Sequence, residues 1–136
     1  MTYQHARFDR HRPIDLVSSA LLSFPVACFT LTVLTDVAYW QTLNLLWLHF
    51  SEWLLFAGLV FGAFALLTLA IDFAVHRVRP AWSAVLAGIV VLLLATLNSF
   101  IHTADGWTAV MPYGLTVSVL TVVVMIATAW LGARHD

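Results

Sequence analysis

Residues 53–71 read WLLFAGLVFGAFALLTLAI, and this run decides the fold. It carries no charge and matches the roughly 20 residues a helix needs to cross about 30 Å of hydrocarbon. Its apolar residues surround the helix instead of forming one stripe, as expected when lipid is the solvent. Three more charge-free runs lie on either side, at 16–35, 80–101 and 106–133, with the helical part of the last predicted at 111–131. The predicted spans are about 16–37, 52–72, 81–102 and 111–131 of a single domain, residues 1–136. A membrane barrel would alternate polar and apolar residues over about 10 positions, and no such alternation occurs. The fold class is all-α, an integral membrane four-helix bundle.

The rest of the chain agrees. Hydrophobic residues make up 62% and charged residues 10%, against about 25% charged in soluble domains; the mean hydropathy is +0.93. This excludes a soluble globular protein, a disordered chain and a nucleic-acid binder with a basic face. With a formal net charge of -1, no bulk field attracts polyanions. Cys28 is the single cysteine, so neither an internal disulfide nor a cysteine metal cluster can form.

All six basic residues are arginines. Arg7, Arg10 and Arg12 precede span one, Arg77 and Arg79 separate spans two and three, and Arg134 follows span four. Four crossings put them on one side, and arginine-rich short loops stay cytoplasmic. Both termini are therefore expected inside, leaving Asp36, Glu52 and Asp105 at the outer side. The first span is too long for a signal-peptide core of about 7–15 residues and lacks a clear small-residue cleavage site; it reads as a retained helix. Trp40, Trp47, Trp53 and Trp107 form an outer aromatic belt, and Trp82 and Trp130 an inner one. The connection 39–53, YWQTLNLLWLHFSEW, is too apolar for a solvated loop and reads as a short helix lying in the interface.

Small residues mark candidate packing faces: Ser19, Ser23 and Ala27 in span one, Gly58 and Gly62 in span two, Ala84 and Gly88 in span three, Gly114 and Ser118 in span four. They allow close backbone approach where lipid supplies no hydrophobic drive between helices. Pro25 removes a backbone bond in mid-span and predicts a kink in helix one.

Counting 1.5 Å per residue from the inner rim brings Asp36 and His102 to one depth near the outer interface. Asn98 lies about one turn below His102 on the same helix face. Asp105 and Trp107 follow. These five residues form the candidate polar cluster, with hydrogen bonds expected between helices one and three. Ordinary helix ends facing water are the bland alternative. Two histidines on different helices of a bundle can also hold a haem, and His49 with His102 is the candidate axial pair for haem b. No ligand spacing marks a metal site, and no cofactor is expected. No ionisable residue lies near the midplane, where pumps and coupled transporters keep theirs. No P-loop, dinucleotide fingerprint or hydrolase triad is present.

LSFPVACFTLTVLTDVAYW (22–40), FSEWLLFAGLVFGAFALLTLAIDF (50–73) and LNSFIHTADGWTAVMPYGLTVS (97–118) resemble a family of small bacterial membrane proteins grouped as domain of unknown function 2231. Phe24-Pro25 followed by Asp36 carries the likeness, with Asn98, His102, Asp105, Trp107, Pro112 and Gly114. Many relatives place a histidine beside a proline before span one, where this chain reads HRPIDL (11–16). Many also place a histidine and an asparagine early in span three, where this chain has Ala84 and Gly88. The resemblance implies four spans in a bacterial inner membrane and no established activity. An occurrence of some relatives beside periplasmic sugar dehydrogenases favours a redox or anchoring partner. The expected function is a non-enzymatic subunit or anchor, packing in the bilayer against itself as a homo-oligomer or against a larger membrane complex. The alternative is a redox module holding haem b or a quinone near the periplasmic interface.

Overall fold

The computed structural model describes residues 13–76, 81–104 and 110–132. Four helices follow one another: α1 Pro13–Thr42, α2 Leu45–His76, α3 Trp82–Thr103 and α4 Leu115–Gly132, the last entered through a wide turn at Val110–Gly114. All four are long and apolar enough to cross a membrane, with mean hydropathies of 1.8, 2.5, 2.4 and 2.1 along the chain. The arginines on which the orientation argument rests lie outside the described residues.

The helices form a ring: α1 packs on α2 and α4, and α3 packs on α2 and α4, so α1 and α3 stand diagonally. Each presents a narrow buried seam. On α2 it is Leu48, Ser51, Leu55, Gly58 and Gly62; on α3 it is Val91, Ala95, Asn98 and His102; on α4 and the turn leading into it, it is Gly114, Ser118 and Thr121. On α1 it runs Cys28, Phe29, Thr32, Asp36 and Tyr39. Steps of three and four residues keep one face toward the partners, the pattern of a left-handed bundle. Polar residues sit in the seam, whereas Leu22, Leu34, Phe56, Phe64, Leu86, Leu93 and Phe100 point outward. This is the arrangement expected in lipid, which solvates apolar side chains and leaves buried polar groups to satisfy one another.

The connection after α1 differs from the sequence expectation. No separate interfacial helix occupies 39–53: α1 continues to Thr42 and α2 starts at Leu45. The reversal takes only Leu43 and Asn44. Leu43 has φ 53, the left-handed region that ends many helices, and its N–H donates to the Tyr39 carbonyl at 2.7 Å. The Asn44 side chain accepts from the Leu46 N–H at 3.0 Å and caps α2. The apolar character of this stretch comes from two helix ends, not from a helix lying flat. With 32 residues, α2 is about 48 Å long at 1.5 Å per residue and exceeds the hydrocarbon thickness. Trp40 and Trp47 flank the reversal, while Trp82 and Trp130 sit at the opposite end of the bundle, all substantially exposed. Helix α1 is continuous through Pro25, which is buried.

Eight of the nine small residues divide into two groups. Gly58, Gly62, Gly114 and Ser118 lie inside the bundle, whereas Ser19, Ser23, Ala27 and Ala84 are exposed. Gly88 is half-buried and has nothing within 4 Å of the position a Cβ would take. A Cβ on Gly58 would stand 2.5 Å from the Phe29 ring, and one on Gly62 2.5 Å from Leu92. Phe29 is fully buried and has little room to retreat. Gly58→Ala is therefore expected to lower stability by about 1–3 kcal/mol through overpacking. Gly88→Ala should be neutral or gain up to about 1 kcal/mol from helix propensity alone. Thermal unfolding of the two variants in the same detergent checks the contrast.

Candidate functional site

About two turns below the α1–α2 reversal, the seams of all four helices turn polar together. The centre is Asp36 on α1, which has no exposed surface. Its Oδ1 accepts from Ser51 Oγ of α2 at 2.6 Å and meets His102 Nε2 of α3 at 2.9 Å. Its Oδ2 accepts from Ser118 Oγ of α4 at 2.6 Å. One carboxylate thus receives a side chain from each of the other three helices. Outside this ring, Asn98 Nδ2 donates to Ser118 Oγ at 2.7 Å, and Thr35 Oγ1 lies 2.7 Å from Ser51 Oγ.

The imidazole of His102 is held on both sides. Nδ1 lies 2.9 Å from the Asn98 carbonyl. A carbonyl oxygen only accepts, so Nδ1 carries a hydrogen. The contact between Nε2 and Asp36 Oδ1 then contains one proton, whichever of the two atoms holds it. The ring lies against Gly114, where a Cβ would stand 3.1 Å from its Cε1; the missing side chain makes room for the imidazole.

Apolar layers close the cluster above and below. Toward the reversal, Tyr39, Leu48 and Val110 are buried together with Met111 packed on them. Toward the bundle centre, Phe29, Leu55, Val91 and Ala95 form the next layer. In the inner layer a narrow crevice is lined by Phe29, Thr32, Leu55, Asn98, Ser118 and Thr121. Asn98 Oδ1 is the one buried side-chain polar atom without a partner among the described residues. The hydroxyls of Thr32 and Thr121 donate to their own helices, at Cys28 and Val117.

The structure therefore brings Asp36, Asn98 and His102 together, deep inside the bundle and not at a surface exposed to water. Asp105 and Trp107 lie outside the described residues. His49 stands apart from this cluster: its side chain is exposed, and its Nδ1 pairs with Glu52 Oε2 at 3.2 Å. Among the described residues no group of histidine, cysteine and carboxylate side chains is placed to hold a metal ion.

A family model described as a predicted membrane protein, DUF2231, matches residues 19–136. The chain belongs to the DUF2231 family. The match runs from residue 19 within α1 through α4 and includes every residue of the Asp36 cluster. No curated protein matches the chain, and no solved structure does. This DUF2231 chain is accordingly a membrane protein with four apolar helices.

Sequence reasoning missed Ser51 and took Ser118 only for a small packing residue. The signal was present: Leu48, Ser51, Leu55, Gly58 and Gly62 follow steps of three and four, and a serine on such a seam faces the other helices. Removing one partner of a buried charged pair typically costs about 3–5 kcal/mol. Asp36→Leu and His102→Leu should each lose stability on that scale, and the double variant should lose clearly less than their sum, because neither group is then left unpaired. Asn98→Leu should cost about 1–3 kcal/mol, since Ser118 loses its donor. Thermal unfolding in detergent measures all four, and additive losses for Asp36 and His102 would contradict the shared network.

Proposed function

We propose that this DUF2231 protein is a non-enzymatic membrane subunit or anchor, which packs laterally against itself or a larger membrane complex. The observation that carries the reading is the occlusion of its strongest chemistry. Asp36, His102, Ser51 and Ser118 are buried, bonded to one another and covered on both sides by apolar layers. Such a cluster fixes four helices and offers no open face to a substrate. What the protein presents outward is its lateral surface of large apolar side chains, interrupted on α1 by Ser19, Ser23 and Ala27. Small residues on a lipid-facing helix permit close approach by another helix. The arginine distribution supports a bacterial inner-membrane setting with both termini and the 77–79 loop in the cytoplasm, so that the Asp36 cluster lies toward the periplasmic side.

A redox role stands second to this reading. Haem ligation by His102 requires one ring nitrogen to leave either Asp36 or the Asn98 carbonyl, and the other candidate ligand, His49, is turned to the exterior.

The subunit reading is tested in native membranes. A photo-crosslinking residue at position 23 or 27 should give one discrete product, either a multiple of the protomer mass or an adduct identifiable by mass spectrometry. The same residue at position 86, on the exposed side of α3, serves as the comparison. Lipid adducts alone at all three positions would overturn the reading.

A further inference from the structure

The Asp36–His102 pair is buried, yet it is connected toward the surface of the bundle. Because His102 Nδ1 is committed to the Asn98 carbonyl, the 2.9 Å contact between Nε2 and Asp36 Oδ1 holds a single shared proton. From Oδ1 a chain of hydroxyls leads outward. Ser51 Oγ, which donates to it, is 2.6 Å away, and Thr35 Oγ1 lies 2.7 Å beyond, its one hydrogen directed to Ser51 Oγ or to the Thr32 and Leu31 carbonyls at 3.0 and 3.2 Å. Thr35 is only half-buried, in the groove between α1 and α2. It sits little more than a turn below the exposed Trp40, where interfacial tryptophans mark the approach of water.

We propose that Asp36 and His102 form an occluded proton-binding site that is loaded and unloaded through Ser51 and Thr35. In outward transfer, Asp36 Oδ1 gives the proton to Ser51 Oγ, Ser51 gives its own to Thr35 Oγ1, and Thr35 gives its own to water. The hydroxyls first turn outward. Where the proton starts on Nε2, that N–H bond breaks as Oδ1 takes it up. Ser51 and Thr35 each form one O–H bond as they give up another, water leaves as hydronium, and the pair is left as neutral imidazole and carboxylate. The reverse sequence reloads the pair, and the hydroxyls rotate back between passages. Among the described residues the remaining directions are closed. Tyr39, Leu48, Val110 and Met111 cover the end of the bundle. Ser118 leads only to the Asn98 amide, whose N–H is a fixed donor and does not relay protons.

The titratable groups on the elements around the pair are few. Asp15 on α1 and Asp72 and His76 on α2 stand at the far ends of their helices. Nearer the pair, helix α1 carries Tyr39 in the covering layer and Cys28 two turns below Asp36. Helix α2 carries the outward His49–Glu52 pair next to Ser51. The described part of α4 has none, and α3 has only His102 itself. Neither the shared proton nor its route depends on the lateral packing proposed above.

Hydrogen–deuterium exchange at His102 Nε2 tests the site. The full chain is labelled with nitrogen-15 at histidine, placed in lipid nanodiscs, transferred to deuterated buffer and followed by NMR. A protonated Nε2 or a shared-proton resonance at His102 is expected, with measurable exchange. Ser51→Ala and Thr35→Val should each slow that exchange about tenfold or more, leaving only local opening of the bundle as a route. Ser118→Ala removes an equal number of donors from Asp36 but lies off the route, and its rate should stay within about twofold of the parent. Equal slowing in all three variants would overturn the route. So would unchanged or faster exchange in Ser51→Ala and Thr35→Val, since bundle opening would then govern the proton. A His102 Nε2 with no proton shared toward Asp36 would overturn the site itself.

Discussion

The bundle depends on one carboxylate. In water, burial of apolar faces would hold four helices together, but lipid tails are as apolar as leucine and give no such drive. Asp36 supplies a directional substitute. Its two oxygens receive Ser51 from α2, His102 from α3 and Ser118 from α4, so the rotation of every helix is set relative to α1. A carboxylate buried without such partners would cost several kcal/mol. The helix arrangement and the cluster are therefore the same constraint, and the seam of threes and fours on each helix is its geometric trace.

The glycines serve that constraint in a particular way. A GxxxG pattern suggests two helix backbones in contact, but here the glycines receive side chains. Gly58 takes the edge of Phe29, Gly62 takes Leu92, and Gly114 takes the imidazole of His102. The last placement matters most. His102 spans the diagonal of the ring to reach Asp36, and a side chain at position 114 would press on its Cε1 while both nitrogens are held. Large residues bridge wide gaps and glycines accept them, which lets a ring of four helices close tightly around a polar centre.

This division explains what could be read from the sequence. The four spans were legible because length and hydropathy are properties of a stretch as a whole. Asp36, Asn98 and His102 were legible as a group because axial rise fixes depth and helical periodicity fixes the face. The reversal at Leu43 and Asn44 was not: Leu43 takes a left-handed conformation that leucine rarely adopts, and only the Thr42 and Asn44 side chains hint at a cap. Ser51 escaped because it stands between His49 and Glu52 in a stretch read as lying in the interface, and in a lipid-facing helix the buried seam is the more polar side, the reverse of a soluble bundle. The depth estimate also placed Asp36 at an interface, since a rise per residue cannot reveal the layer of Tyr39, Leu48, Val110 and Met111 that covers it.

The same bonds order the assembly of the bundle. Asp36 and Ser51 are separated by only 15 positions and join two helices linked by a two-residue reversal, so this contact has the lowest closure cost. It can form as soon as α1 and α2 stand side by side, and these two helices also share the most extensive packing. His102 lies 66 positions from Asp36, and Ser118 lies 82. Until α3 and α4 arrive, the carboxylate has one serine donor and an open side toward the ring centre. Docking α3 brings the imidazole, which supplies the only basic group among the partners, and α4 then saturates the second oxygen. Each later helix is recruited by the acceptor capacity that the earlier ones leave unfilled. A residue that would burden an isolated helix in lipid thereby becomes the reason the four helices remain together.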